Sequence, residues 1–540
     1  MPRVSVVVIA YNDAEHLPAA LRSARRQTLR DIEIVVVDDA SSDATPQVIA
    51  AAAAEDTRVH PMRLDHNSGG CSRPRNTGLS AVSGDYVLFL DSDDVLPRRA
   101  VERLYAAAQR ARADVACGRM VRRHHDPRRH LASNDDLYTR AAVLDGVLAR
   151  PEQLRDTPAC GKLFRREFLD AEGLRFPEGL LFEDLLFTTT AYAAAERIAI
   201  VPHLTYVWNV RRSQAVPSIT NRRELRNWQD RFEIHRRIDA DLRRRPRARE
   251  LQVAKDHKFL TVDWPIWLRD LRAFPADQRP QLLDLAADYV STMGPERRSD
   301  VAPGLRAACA LVARRDLQAT LAAADYVTTG GIDGDLLVQS GALDVDATGL
   351  RSAGFAATPF LVVVETACVR GSRLELAGRV HDVLGRLASA QPDAGLRISG
   401  RFGGRLLDVP VATTNRDGGL EFRATVDLEA LGRRLHPRVG HELRLDLRLR
   451  AAEGVAQRPV TGRDATLPDR PLALPNRWQR VLGGEAELLE RNGRLVLALP
   501  ALHRRVDALL DLASRGRLVL DHRLVRRDGP RHDGRTRPEG

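Results

Sequence analysis

Three aspartates in four positions follow an apolar run in the stretch YVLFLDSDD, and their spacing is the first feature that suggests chemistry. Asp91, Asp93 and Asp94 come directly after residues typical of a buried strand. Crowded carboxylates repel one another unless a positive charge lies among them. Mg²⁺ and Mn²⁺ prefer oxygen ligands of this kind, and Mg²⁺ usually binds through one or two carboxylates together with substrate phosphates. The stretch therefore predicts that something cationic binds at this strand end.

A second acid pair, Glu183–Asp184, lies in the stretch FEDLLF at 182–187. The apolar spacing that follows predicts a helix with the pair in its first turn. Acids at this position commonly do no more than compensate the helix dipole. The residues alone leave that interpretation and a catalytic one open.

The first third of the chain alternates apolar strands with amphipathic helices. VSVVVIA (4–10) and IEIVVVD (32–38) are continuous apolar runs of the kind found in parallel strands covered on both faces. Such βα repeats predict a parallel sheet, whose ligands bind outside the carboxyl ends of the strands. Tyr11, Asp39 and the Asp91–Asp94 cluster all fall at such ends.

Two common nucleotide-binding motifs are missing from the sequence. It contains no GxxxxGK[ST], and no GxGxxG follows the first strand. These absences exclude a P-loop and disfavour a hydride-transfer site of the Rossmann type. If phosphates bind here, other residues must hold them.

Four motifs in a fixed order resemble the inverting family-2 glycosyltransferases with a GT-A fold. They are AYND at 10–13, VVVDDASSDAT at 35–45, RNTGLSAVSGDYVLFLDSDD at 75–94 and FEDLLF at 182–187. The resemblance covers about residues 1–220. It implies a Rossmann-like, mostly parallel α/β sheet and transfer of a sugar from a nucleotide-sugar, normally linked to uridine.

The resemblance also implies a role for each candidate residue. Asp184 would be the general base that takes the proton of the acceptor hydroxyl, with Glu183 orienting the acceptor. Asp93 would coordinate Mn²⁺ or Mg²⁺ at the diphosphate. The residues that would contact the donor are Tyr11, Asp39, Arg75, Asp91 and Arg211. Pro74 departs from the usual pattern before Arg75, which leaves Arg73 as an alternative contact to the diphosphate.

Lys162, in ACGKLFRREFL at 159–169, has two interpretations from the sequence. It could face the substrate, or it could lie on the solvated face of a helix. The sequence does not separate the two.

Beyond the first 220 residues the pattern changes twice. We predict a catalytic domain over 1–220 and a helical acceptor or linker subdomain over 221–335, in which the tryptophans at 228, 264 and 267 are core residues. GLEFRATVDL (419–428) and ELRLDLRLR (442–450) alternate apolar and polar residues, which predicts strands with one buried face. We therefore predict an accessory antiparallel β-sandwich over 345–525 and a disordered tail over 526–540.

Composition narrows the class of protein further. Of the 540 residues, 44% are hydrophobic and 29% are charged, as in a globular protein. No apolar run reaches the roughly 18 residues of a membrane span, and the five cysteines form no CxxC pair. We therefore expect a cytoplasmic protein.

The net charge of +11 would attract a polyanion or an anionic membrane face, although solvated arginine on helix surfaces explains it equally well. We expect a polymeric, anionic acceptor and no nucleic acid. Peripheral association with the inner face of the membrane and homo-oligomerisation through the β domain are left open. The resemblance extends to bacterial wall-teichoic-acid and polysaccharide glycosyltransferases that carry a C-terminal β domain.

Two alternatives compete with a glycosyltransferase. One is a catalytically inactive protein that binds carbohydrate or polyanion, but a binding module has no need for two separate acid sites. The other is a nucleotidyltransferase, for which a Gly-rich loop after the first strand would be expected. AYNDAEHL, which follows that strand, contains no such loop.

Overall fold

The computed structural model describes most of the chain up to residue 499. The described ranges are 2–124, 131–210, 224–294, 301–324, 354–382, 384–400, 405–416, 419–434, 441–461, 472–473, 485–491 and 494–499. The chain divides into two compact units, Met1–Leu321 and Ala322–Gly540. No helix within the described ranges is long and apolar enough to cross a membrane.

The first unit is built on a mixed, mostly parallel sheet. Its strands are β1 Val4–Ala10, β2 Ile32–Asp38, β3 Val59–Arg63, β4 Tyr86–Asp91, β5 Val115–His124, β6 Leu131–Ser133, β7 Ala142–Asp145, β8 Lys162–Arg165 and β9 Arg197–Val210. The strand order is β3-β2-β1-β4-β8-β5-β9-β7, with β6 on β5. Strands β1 to β4 pair in parallel, β8 lies antiparallel between β4 and β5, and β5 pairs in parallel with β9.

The register of this sheet brings the acidic strand ends together. Asp38 pairs with Ala10, and Asp91 pairs with Ile9, one residue earlier on the same strand. Strands β1 and β2 are buried along their whole length, as their continuous apolar runs predict. The carboxyl ends of β1, β2 and β4 therefore meet at one edge of the sheet.

Helices cover both faces of the sheet and then continue as a helical region. They are α1 Leu17–Arg25, α2 Thr45–Glu55, α3 Ser72–Ala81, α4 Ala100–Ala111, α5 Arg166–Ala171, α6 Glu183–Ala194, α7 Leu225–Leu242, α8 Ala248–Lys258, α9 Trp264–Ala273, α10 Arg279–Val290, α11 Pro303–Ala313 and α12 Leu317–Ala324. Short 3₁₀ turns occur at Asp135–Tyr138, Val147–Ala149 and Pro151–Arg155, and a π-helical turn at Phe259–Asp263 joins α8 to α9.

The three tryptophans of the helical region are core residues, as predicted. Trp228, Trp264 and Trp267 are at most 4% exposed. The rings of Trp264 and Trp267 stack with their centroids 4.7 Å apart. Their role as packing anchors is thereby confirmed.

The second unit is a β domain with a single core. Its strands are β10 Leu361–Arg370, β11 Arg373–His381, β12 Asp393–Gly400, β13 Arg405–Arg416, β14 Gly419–Asp427, β15 His441–Ala451, β16 Gly454–Thr461, β17 Leu472–Ala473, β18 Glu485–Arg491 and β19 Arg494–Leu499, with a 3₁₀ turn Phe355–Ala357 and helices α13 Arg386–Ala390 and α14 Leu428–Arg433. Seven strands follow the order β12-β13-β14-β11-β10-β16-β15, and β15 pairs again with β12. The ring of strands is therefore closed and barrel-like, with one parallel pair, β10 and β16.

The predicted fold class, a GT-A-like α/β domain followed by helices and a C-terminal β domain, is confirmed. The antiparallel sandwich predicted for the β domain is instead a closed, barrel-like ring that contains the parallel pair β10 and β16. The predicted domain limits 1–220, 221–335 and 345–525 stay predictions. The sheet and most of the helical region fall in one compact unit, which ends at Leu321. The predicted tail, 526–540, lies outside the described residues.

Candidate functional site

The basic residue among the crowded acids is Arg75. One of its terminal nitrogens, Nη2, donates to Asp91 Oδ1 at 2.9 Å. The other, Nη1, donates to Glu183 Oε1 at 2.9 Å and to Asp184 Oδ1 at 2.7 Å. Asp91, at the end of β4, and the distant Glu183–Asp184 pair thus share a single guanidinium group. Charge-assisted bonds to Arg are among the stronger hydrogen bonds in proteins, and they hold the two acid sites together.

Close packing of α3 against the sheet brings Arg75 to this position. Gly78 lies one turn further along α3, and a Cβ atom there would come within 2.4 Å of the Val7 side chain on β1. Only glycine lets the helix approach this closely. Arg75 is 2% exposed, and its guanidinium lies 5.2 Å from the centre of the Phe176 ring.

The second acid pair lies in the first turn of α6, as the sequence predicted. Phe182, immediately before the helix, has a φ of +63°, which is unusual for a bulky residue. Such strained residues cluster at functional sites. The backbone N–H of Ala159 donates to Asp184 Oδ2 at 3.2 Å, so both carboxylate oxygens of Asp184 are held.

The two acids in the first turn of α6 have raised pKa values. Burial, and after it the charge of Asp184, raises the pKa of Glu183 to about 7, against the opposing charge of Arg75. Burial likewise raises the pKa of Asp184, and Arg75 again opposes the shift. A carboxylate with a pKa near the working pH can accept a proton in one step and release it in the next.

The aspartates after β4 have separate partners. Asp91 Oδ2 accepts from Cys160 Sγ at 3.6 Å, while the carboxylate of Asp94 accepts from the Tyr206 hydroxyl and the Asn209 backbone N–H, each at 2.7 Å. The Asn209 side chain donates to the carbonyl oxygen of Asp93 at 2.6 Å. The position of the Asp93 backbone therefore depends on the end of β9.

On the donor side, Tyr11 and Asp39 are both close to the ends of β1 and β2. Tyr11 is 49% exposed. Asp39 is buried, and its carboxylate accepts from the backbone and hydroxyl of Ser68 and from the side chain of Asn67, at 2.9 to 3.0 Å. Asp39 thus fixes the loop that precedes α3. Arg211, the remaining candidate, lies outside the described residues.

Sequence reasoning missed several residues that organise the site. Asn12 accepts from the Ser42 backbone N–H at 2.8 Å, and Asp13 accepts from the Ser92 hydroxyl at 2.6 Å, which ties the DSD turn to the end of β1. The AYND motif contained both residues as a signal. Nothing local in the sequence pointed to Cys160 or Asn209.

Both sequence interpretations of Lys162 are wrong. The residue begins strand β8 instead of lying on a helix, and it is 1% exposed, so it faces neither solvent nor an open cleft. Its ammonium group lies 2.8 Å from Asp156 Oδ2. A buried partner offsets the desolvation of the charge, which explains the burial.

Comparison with known proteins relates part of the chain to one family. Residues 5–173 match the model of the family described as Glycosyl transferase family 2. The chain is 34% identical over 221 residues to the succinoglycan biosynthesis protein ExoO of Rhizobium meliloti (strain 1021), covering 39% of this chain and 62% of that protein. It is 30% identical over 217 residues to the poly(ribitol-phosphate) β-N-acetylglucosaminyltransferase TarS of Staphylococcus aureus (strain Mu50 / ATCC 700699), covering 39% of this chain and 36% of TarS.

Solved structures agree with the fold of both units. The crystal structure of S. aureus TarS matches with a TM-score of 0.55 at 18% identity, covering 93% of this chain and 86% of that one. TarS 1–349 in complex with UDP-GlcNAc matches with a TM-score of 0.52 at 22% identity, covering 61% of this chain and 92% of that one.

Residues 5–173 are therefore similar to the family-2 glycosyltransferases, which confirms the resemblance stated from the motifs. In sequence, the chain spans less than two thirds of the length of these curated relatives.

Proposed function

We propose that the protein is an inverting glycosyltransferase that moves a sugar from a UDP-sugar to a hydroxyl group of a cell-surface polymer. The observation that carries this proposal is the bridge by Arg75. It places Asp91, from the donor motif, and Asp184, the candidate base, on one guanidinium group. Donor and acceptor chemistry would therefore meet at one edge of the sheet.

Asp184 is suited to act as the general base. Arg75 and the Ala159 N–H fix its carboxylate, yet each carboxylate oxygen has two lone pairs, so one remains for an acceptor hydroxyl. As the acceptor oxygen attacks the anomeric carbon, Asp184 takes its proton and the nucleoside diphosphate leaves from the opposite face. A single displacement of this kind inverts the anomeric configuration.

The donor would bind along the ends of β1, β2 and β4. Tyr11 offers an exposed aromatic ring for stacking on the nucleobase, and Asp39 would shape the wall of the base and ribose pocket through Ser68. The TarS domain with a similar fold was crystallised with UDP-GlcNAc, which supports a uridine-linked donor. Arg75 would reach the diphosphate only by sharing or exchanging its present carboxylate partners.

A divalent cation fits the donor set at this edge. Within the described ranges no group of three or more His, Cys, Asp and Glu residues could hold a metal alone. Asp91 and Asp93 nevertheless offer carboxylate oxygens, and Mg²⁺ commonly binds through one or two carboxylates plus substrate phosphates. Asp93 would hold Mn²⁺ or Mg²⁺ there, and the bound ion would neutralise charge on the departing diphosphate.

We further propose an anionic polymer as the acceptor. The net charge of +11 favours a phosphate-rich chain, and relatives such as TarS are named for action on poly(ribitol-phosphate). Glycosylation of such a polymer would take place at the inner face of the membrane. The β domain would bind polymer or join subunits there.

The test measures UDP release from a panel of UDP-sugars with Mn²⁺, using the wild type, Asp93→Ala and Asp31→Asn. We expect the wild type to turn over one UDP-sugar. Asp93→Ala should release UDP more than about 100-fold more slowly, and Asp31→Asn should match the wild-type rate. Asp31 is a matched control because its exposed carboxylate precedes β2, at the opposite edge of the sheet. Absence of any nucleotide binding with Mn²⁺ would overturn the uridine-donor proposal.

A further inference from the structure

Lys162 is a fully buried lysine that the proposed chemistry does not use. It is 1% exposed, and its ammonium group donates to the carbonyl oxygen of Pro158 at 2.6 Å besides its ion pair with Asp156. Burying an ammonium group costs several kcal/mol unless it is paired. Lys162 therefore ties together the two ends of the short segment 156–161.

Asp156 is itself held rigidly. Its Oδ2 atom accepts from the hydroxyl groups of Tyr138 and Tyr192, both of which are buried. Gln153 donates to the same two hydroxyls at 3.2 and 3.3 Å. Because these partners come from different elements, the ion pair anchors segment 156–161 to the core of the first unit.

Segment 156–161 contacts both acid sites. The N–H of Ala159 donates to Asp184 Oδ2, and Cys160 Sγ donates to Asp91 Oδ2. Arg75 binds the other oxygen, Oδ1, of each of these two carboxylates. Asp91 and Asp184 are thus each held from two sides, by Arg75 and by segment 156–161.

We propose that Lys162 is a positioning residue: by fixing segment 156–161 it holds Asp91 and Asp184 in the geometry that glycosyl transfer requires. Nothing in its contacts suggests that it touches a substrate. The structural part of the proposal stands on the contacts alone, whereas the consequence for catalysis rests on the proposed function.

A second observation supports the role of a charged residue at this position. The charge of Lys162 is among those that oppose the rise in the pKa of Asp184. A neutral side chain of similar size would no longer oppose the rise in the pKa of Asp184, and it would lose the hydrogen bond to Pro158. The first change acts on the charge of the candidate base, and the second acts on its position through segment 156–161.

The first test measures how firmly segment 156–161 is held in place, and it needs no substrate. Cys160 is 4% exposed and serves as the reporter, and the exposed Cys368 serves as an internal reference. We expect iodoacetamide to label Cys160 about 10-fold faster in Lys162→Met than in the wild type, as measured by mass spectrometry. Lys255→Met is the matched control, since Lys255 is 2% exposed and paired with Asp239 at 2.5 Å, away from the acids.

Lys162→Met leaves Asp156 unpaired and could fail to fold, so a double variant accompanies it. Lys162→Met combined with Asp156→Asn removes both charges and keeps an acceptor for the two tyrosines. Unchanged labelling of Cys160 in the single and double variants would overturn the proposal, whatever the protein's substrates are.

The second test measures kcat and its pH profile with the UDP-sugar that the wild type uses. We expect about a 30-fold lower kcat and a higher KM for the donor in both variants, since Asp91 is loosened together with Asp184. In Lys162→Met, which keeps the charge of Asp156, we also expect the acid limb to move to higher pH. A purely structural lysine would lower the melting temperature and leave the acid limb where it is. If the wild type turns over no donor, the proposed function fails and the labelling result alone decides the role of Lys162.

Discussion

Two regions of the first unit bury charged groups, and they balance them differently. At the acid site Arg75 contacts three carboxylates, those of Asp91, Glu183 and Asp184. In the helical region the carboxylate of Asp263 is contacted by two cations, Arg231 and Lys258. The acid site therefore has fewer cations than carboxylates, whereas the helical region places two cations against the carboxylate of Asp263.

The pKa shifts follow this difference. Burial raises the pKa of Glu183 to about 7. Burial acts on Asp263 in the same direction, yet the charges of Lys258 and Arg231 bring its pKa well below the usual value. A region whose acids are under-compensated can receive a cation or a cationic transition state, whereas a balanced cluster can only hold the fold together.

The largest expected effect comes from removing the candidate base. Asp184→Asn should lower kcat by about 1,000-fold, or about 4 kcal/mol, because Asn cannot take the proton of the acceptor. Binding of UDP should stay within about 3-fold of the wild type, since the amide keeps the shape of the side chain. Initial rates and calorimetric titration with UDP measure the two quantities.

Asp263→Asn is the control from the balanced cluster, and its kcat should stay within about 3-fold of the wild type. A rate for Asp184→Asn as high as this would remove Asp184 from the chemistry.

The next effect concerns stability and should be large in the helical region and small at the acid site. Asp263→Asn should lower the free energy of unfolding by about 3 kcal/mol, because it leaves Arg231 and Lys258 without their carboxylate. Glu183→Gln should change it by less than about 1 kcal/mol, since it removes an acid whose charged form is already penalised. Urea denaturation at pH 7 provides both values.

The pH dependence of the free energy of unfolding tests whether charge accounts for the effect of Asp263→Asn. The folded pKa of Asp263 is lowered, so its contribution is present above the unfolded pKa of about 3.9 and is lost as the pH falls below it. The difference between the wild type and Asp263→Asn should therefore shrink at pH 3. A constant difference would show that packing, not charge, accounts for the loss.

Part of the acid site could be predicted from the sequence. Apolar runs such as 4–10 and 32–38 bury whole strands, so the ends of these strands and the acids that follow them were predictable. Repulsion among Asp91, Asp93 and Asp94 also predicted a cation nearby.

The identity of the contacts could not be predicted. Arg75 reaches Asp184 only because α3 packs on β1 at Gly78, and no local period encodes such a long-range approach. The environment of Lys162 was predicted wrongly for a related reason. Its partner Asp156 comes within reach because the chain turns at Gly161, where φ is +73°. The pairing that permits burial depends on this fold, whereas a lysine in isolation suggests solvent.

A smaller effect tests whether the geometry of Arg75 matters beyond its charge. Arg75→Lys keeps one positive charge but loses the fork that serves Asp91 and the Glu183–Asp184 pair at once. We expect kcat to fall by about 30-fold, which corresponds to about 2 kcal/mol.

Arg99→Lys, at an exposed ion pair with Glu102, is the control and should have no measurable effect on the rate. Equal rates for Arg75→Lys and the wild type would show that charge alone suffices at the site.

The smallest effect concerns Asp94, the acid next to the site that no basic side chain is seen to contact in the described part of the chain. Burial, and then the charges of Asp91 and Asp93, raises its pKa to about 8. Between its unfolded pKa of about 3.9 and this value, folding requires the carboxyl to keep a proton that the unfolded chain releases. The resulting penalty is absent at pH 4, grows as the pH rises, and is complete above pH 8.

Asp94→Asn removes this penalty but weakens one of the bonds from Tyr206 and Asn209. Relative to the wild type, the variant should therefore gain about 1 kcal/mol between pH 5 and pH 6, in denaturation experiments with EDTA present. A gain that is the same at both pH values would mean that Asp94 is ionised in the folded protein throughout. The acid site would then have more positive charge than Arg75 supplies, and its contrast with the balanced cluster around Asp263 would weaken.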